Sequence, residues 1–117
     1  TGDRDPVAYS VFIDPPLSHI GITEETARRN NLDVRVNRIA VASIPRMRTI
    51  GETDGLLKAV IDARTNRILG CTLFCPESSE VINTVAVAMK SGRTAAFLRD
   101  FVFTHPSVSE ALNDLFV

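Results

Sequence analysis

The sequence predicts an α+β domain: an antiparallel sheet with helices gathered against it, in the order β-α-β-β-β-α-α-α. Three observations carry that expectation. Residues 56–62 and 68–74 are two apolar runs joined by the short polar link Ala63-Arg64-Thr65-Asn66-Arg67, the pattern of a hairpin. From about 78 to 90 the period changes, and Val81, Ile82, Val85, Ala86 and Met89 recur at three-to-four spacing, the stripe of a helix with one buried face. Strands followed by a run of helices belong to the α+β class.

The elements follow in order. Residues 7–13 (Val-Ala-Tyr-Ser-Val-Phe-Ile) have strand composition and stop at Asp14-Pro15-Pro16, because proline donates no ladder hydrogen bond. His19 stands in the stretch after the prolines, which reads as surface or loop. Thr23 is an N-cap opening a short helix, and Glu24 and Glu25 suit the positive end of its dipole. Asn30-Asn31 stops that helix. Val34, Val36 and Val41 mark an extended segment over 33–43, broken by Pro45, and the polar stretch 46–55 with Gly51 and Gly55 reads as a loop. Pro76 closes the second hairpin run. Gly92 stops the long helix. Thr94 caps a short helix carrying Ala95, Leu98 and Phe101, and a last helix follows Pro106.

Composition narrows the function classes. At 117 residues, with 44% hydrophobic and 23% charged, this is one domain with enough apolar residues for a core. Thirteen Lys and Arg against fourteen Asp and Glu leave a net charge of −1, which argues against a nucleic-acid surface. The basic clusters Arg28-Arg29 and Arg46-x-Arg48 read as solvated faces. No apolar run approaches the ~20 residues that span a bilayer, and no signal peptide is visible. The chain begins Thr1-Gly2-Asp3-Arg4 without methionine, which reads as a fragment or a processed chain. Cys71 and Cys75 flank an apolar strand, so four extended residues put their Cα atoms roughly 13 Å apart, beyond the ~7 Å a disulfide allows. They read as buried reduced thiols, which fits a cytoplasmic protein. Two thiols and two distant histidines make no metal site, and no Gly-rich phosphate loop is present.

The chemistry concentrates in the tail. His105-Pro106 sits on the threshold of a short helix, with Glu110 five residues after the histidine. Histidine moves protons near neutral pH, and a carboxylate beside it would favour its charged form. Ser107-x-x-Glu110 is also a capping-box pattern, a purely structural reading of the same glutamate. The two roles are not exclusive. The apolar residues Phe97, Leu98, Phe101, Phe103, Leu112, Leu115 and Phe116 are dense for so short a segment and predict an interface.

These motifs carry a resemblance. Val11-Phe12-Ile13-Asp14-Pro15, then Gly21-Ile22-Thr23-Glu24 and Ala27, are similar to the entry F-T-x-P…G-x-T-E-x-x-A of the pyridine nucleotide-disulfide oxidoreductase dimerisation domain. Leu57-Lys58, Asp62, Thr65, Ile68-Leu69-Gly70 and Glu80-Val81-Ile82 continue it. His105-Pro106-Ser107-Val108-Ser109-Glu110 resembles the family's H-P-T-x-S-E signature. Ile44-Pro45-Arg46-Met47-Arg48, Leu98-Arg99-Asp100 and the tail 109–116 are similar to a bacterial subgroup linked to reactive-chlorine resistance.

The resemblance implies that residues 1–117 are the single C-terminal dimerisation domain of a larger flavoprotein, an NAD(P)H-dependent disulfide reductase that works as a homodimer. His105 would be the acid-base catalyst at the partner subunit's redox disulfide, with Glu110 orienting it. The His105-Pro106 backbone, with a cis bond, would lie toward the partner's FAD. FAD and NAD(P)H would be held by N-terminal domains, and this piece alone would carry no cofactor and no activity. A dimerisation module with no catalytic role, or an unrelated α+β ligand-binding domain, are the other readings of the same residues.

Overall fold

The chain builds five strands: β1 (Tyr9–Val11), β2 (Leu17–Gly21), β3 (Val34–Ala40), β4 (Leu56–Asp62) and β5 (Ile68–Phe74). They form one antiparallel sheet in the order β1-β2-β5-β4-β3. Helices α1 (Glu24–Arg29), α2 (Ser78–Lys90), α3 (Ala95–Asp100) and α4 (Ala111–Leu115) complete the fold, with 3₁₀ turns at Val41–Ser43 and Val108–Glu110. The structure is a computed structural model that describes residues 7–43, 55–104 and 107–117. The motif 44–48 lies outside them.

The α+β architecture stands as the sequence predicts. The hairpin β4–β5 pairs from Leu56 opposite Phe74 to Ile61 opposite Ile68. Thr23 caps α1 by accepting the Thr26 N–H at 3.1 Å. Alternation along the strands sends one set of side chains to the helices. Ile20, Leu57, Ala59, Ile61, Cys71 and Leu73 there meet Val81, Ile82, Val85 and Ala88 of α2 and Leu98 of α3 in one core. A relay of hydroxyls fastens the start of α2 to the sheet. Ser78 Oγ donates to the Pro16 carbonyl at 3.0 Å. With one proton per hydroxyl, Ser18 then donates to Ser78 at 3.0 Å and Ser10 to Ser18 at 2.6 Å.

One strand was not foreseen. Sequence reading gives residues 17–20 no element and takes His19 as surface or loop, yet they form β2, the second strand of the sheet, with Ser18, His19 and Ile20 all buried. Both faces of β2 are covered, so its sequence shows no alternation to read. β1 is correspondingly shorter than 7–13, and Asp14-Pro15-Pro16 lies in the connection between the two strands. The cis peptide among the described residues is Asp14-Pro15; the bond expected to be cis, His105-Pro106, lies outside them.

His19 is therefore a correction too: it is 7% exposed, in the middle of β2. Its Nε2 lies 2.8 Å from the Gly21 carbonyl, which can only accept, so Nε2 carries the proton. In the neutral ring Nδ1 then accepts from the Thr72 hydroxyl at 2.7 Å. His19→Ala would leave that carbonyl and hydroxyl without their partner. It should cost about 1–3 kcal/mol, read as a lower urea midpoint at unchanged slope.

Candidate functional site

The second face of the sheet carries a polar row that crosses all five strands. Tyr9 faces His19, His19 faces Thr72, Thr72 faces Lys58, and Lys58 faces Arg38. Helix α1 brings Glu24 over this row. Its carboxylate takes Lys58 Nζ at 3.1 Å and also pairs with Arg38 and, one turn along the helix, Arg28. Glu24 thus holds α1 on the sheet, a role beyond complementing the helix dipole. Arg28 and Arg29 are solvated, as their composition suggests.

The Lys58 ammonium and Arg38 guanidinium, with Arg28 nearby, hold the Glu24 carboxyl below the usual carboxylate range. A depressed folded pKa means that the network's stabilisation is complete above the unfolded value, ~4.3. It is lost as pH falls through the folded value. Glu24→Gln should therefore lower the melting temperature at pH 7 and flatten its decline below about pH 4. A wild-type slope in the variant would show that other carboxylates govern the acid limb.

Cys71 and Cys75 are buried free thiols, as expected. Burial raises both pKa values, and Cys75 is pushed up to about 12, with Glu77 adding to the effect. The nucleophilic thiolate is thus suppressed at neutral pH. Ellman's reagent at pH 8 should find both thiols silent in the native chain and reactive in urea.

The tail is built around anchors. Val108, Leu112, Leu115 and Phe116 are each 3% exposed or less. The sequence reading placed Leu98, Leu112, Leu115 and Phe116 on an interface; they belong to the core. Phe97 and Phe101 do stay exposed, at 39% and 47%. On the far side, Asn37 of β3 donates through Nδ2 to the Leu115 carbonyl at 2.8 Å, tying α4 to the sheet edge.

The chain leaves α3 extended at Phe101, with φ −68° and ψ 139°. Asn113 on α4 aims its Nδ2 at three carbonyls around that exit: Leu98 at 2.9 Å and Arg99 at 3.0 Å in the last turn of α3, and Phe101 at 2.7 Å just past it. Sequence reading saw Asn113 only as one letter of the tail motif. Ser107 Oγ donates to the Thr104 carbonyl at 2.6 Å, and Ser107 N–H donates to Glu110 Oε1 at 2.9 Å. The capping box Ser107–Glu110 is formed. The structure therefore brings Ser107 and Glu110 together, while His105 and Pro106 lie outside the described residues.

Helix α2 and the tail leave an apolar groove of about 350 Å³, lined by Asn83, Thr84 and Val87 of α2 and by Phe97, Phe101 and Phe103. Among the described residues, no three His, Cys, Asp or Glu side chains are grouped to hold a metal. No helix there is long and apolar enough to cross a membrane.

Comparison with known proteins gives a consistent answer. A family model described as "Pyridine nucleotide-disulphide oxidoreductase, dimerisation domain" matches residues 7–116. The probable pyridine nucleotide-disulfide oxidoreductase RclA of Escherichia coli is 52% identical over 116 residues, which cover 99% of this chain and 26% of that protein. The dihydrolipoyl dehydrogenase of Rhizobium etli is 30% identical over 112 residues, 96% of this chain and 23% of the enzyme. A solved Cu(II) complex of the E. coli HOCl-induced flavoprotein disulfide reductase RclA superposes with a TM-score of 0.94 over 99% of this chain and 26% of that one. LpdA of Mycobacterium tuberculosis, 22% identical, superposes at 0.88 over 94% of this chain and 24% of that one, and shows the same fold. The chain thus spans about a quarter of the length of the relatives it matches. That match sets aside an unrelated ligand-binding domain: the chain belongs to the dimerisation-domain family of the pyridine nucleotide-disulfide oxidoreductases.

Proposed function

We propose that this chain is the C-terminal dimerisation domain of an FAD-dependent, NAD(P)H-linked disulfide reductase, and that it acts as half of a homodimer. The observation that carries the reading is the 52% identity to RclA across 116 residues, tail motif included. The dimer face would be the groove between α2 and the tail, where the apolar Val87 of α2 is 67% exposed. Exposed apolar surface of this kind marks protein interfaces.

Two glycines of the sheet crossing face neighbouring backbone at close range. A Cβ on Gly21 would meet the Leu69 carbonyl oxygen at 2.2 Å, and one on Gly70 the Ile22 carbonyl oxygen at 1.9 Å. These glycines admit neighbouring backbone and leave no phosphate cradle. FAD and NAD(P)H would be held by domains N-terminal to this chain.

The contribution of this chain to the chemistry would come from the tail. His105 would take and return the proton of a redox thiol on the partner subunit. Glu110 would orient the ring and support its cationic form, while also closing the turn through Ser107. Glu110→Gln separates these roles. Glutamine still accepts the Ser107 N–H, so stability should stay within ~0.5 kcal/mol, as for a tolerated surface change. The lost charge should lower turnover and shift the histidine limb of the pH profile downward. Unchanged turnover and pH profile in Glu110→Gln, with destabilisation in Glu110→Ala, would reduce Glu110 to a helix cap.

A further inference from the structure

We propose that Asn113 is the positioning residue for an aromatic rim, Phe97–Phe101–Phe103, against which a second copy of this chain docks. The proposal rests on the dimer reading above and deepens it by naming the side chain that sets the shape of the docking surface.

Helix α3 has six residues, too few to persist without support. Its last carbonyls have no intrahelical donor. The chain leaves at Phe101 with φ −68° and ψ 139°, so no left-handed cap turns an N–H back onto them. Asn113 supplies the missing donors from another helix. Its two amide protons serve three carbonyls, Leu98, Arg99 and Phe101, on both sides of the exit. This fixes the direction in which the chain leaves α3.

The rim follows from that direction. Phe97 lies before the exit, and Phe101 and Phe103 lie at and after it. Their rings form a continuous series, with centroids 5.8 Å apart for Phe97–Phe101 and 4.8 Å for Phe101–Phe103. The Arg93 guanidinium sits over the outer ring of Phe97, 5.1 Å from its centroid. This series forms one wall of the groove, and α2 forms the other.

The occupant is a second copy. The chain belongs to a dimerisation-domain family matched over residues 7–116. A two-fold interface must be self-complementary, and this surface offers both parts: exposed Val87 as a knob, and the groove beside it as a hole.

A double-mutant cycle on the protein that carries this chain tests the proposal. Sedimentation over a dilution series would give the dimer dissociation constant for wild type, Asn113→Ala, Phe101→Ala and the double variant. Each single change should weaken the dimer at least ten-fold, the scale of a true interface anchor. The double variant should be no weaker than the worse single, because both remove the same feature. Multiplying effects, or an unchanged constant in Asn113→Ala beside a weakened Phe101→Ala, would overturn the role of Asn113. No effect from Phe101→Ala would instead remove the groove from the dimer face. If Asn113→Ala does not fold, Asn113→Gln, which keeps the amide one methylene further out, enters the same cycle under the same criteria.

Discussion

Replacing His105 by alanine in the full-length enzyme should slow the thiol-disulfide half of the cycle by on the order of 10²- to 10⁴-fold, the usual contribution of a positioned general acid-base. Reduction by the nicotinamide, measured separately in a stopped-flow instrument, should change little, because the role proposed for His105 lies in the other half-reaction. The wild-type pH profile of the slow half should show one limb near neutrality, where histidine titrates, and that limb should vanish in the variant. Dimer stability is the control. A variant that remains dimeric and turns over normally would leave the domain a structural module and the tail without a chemical role. Equal slowing of both half-reactions would point to a displaced interface instead of a lost proton carrier.

Gly70→Ala should be among the most damaging small substitutions in the sheet. Gly70 on β5 faces Gly21 on β2. A methyl group there would stand 1.9 Å from the Ile22 carbonyl oxygen and 3.0 Å from the Ile22 nitrogen, so backbone must move. The Ile22 N–H donates to the Leu69 carbonyl at 3.0 Å, and that bond fixes the crossing. The cost should reach or pass the ~3 kcal/mol upper end of ordinary overpacking, read as a fall in the urea midpoint. Gly92→Ala is the matched control. Gly92 has φ +74° but open space around its Cβ position, so only the conformational penalty of ~1–2 kcal/mol applies. A smaller loss in Gly70→Ala than in Gly92→Ala would mean that β2 and β5 part at no cost.

Local signals carried much of this fold in the sequence alone. The three-to-four stripe of 78–90 is the helix α2, since helical periodicity is a property of one segment. The same holds for the β4–β5 hairpin, the Thr23 cap and the Ser107–Glu110 box, each written within a few neighbouring residues. The family motif is also linear, so membership was legible before any geometry. Tertiary structure decided what depends on distant residues. β2 is a strand because β1 and β5 pair along its two edges while α2 packs over one face, and nothing in Leu-Ser-His-Ile-Gly alternates to announce that. His19 became a buried, doubly bonded residue for the same reason. Glu24 gained Arg38 and Lys58 only when α1 settled on the sheet. The apolar tail divided into core (Leu98, Leu112, Leu115, Phe116) and exposed rim (Phe97, Phe101) because hydrophobicity does not say which face a side chain will find. Asn113 reaches across twelve to fifteen residues to three carbonyls that composition cannot pair with it. Periodicity records what a segment must bury; only packing of the whole chain decides against what.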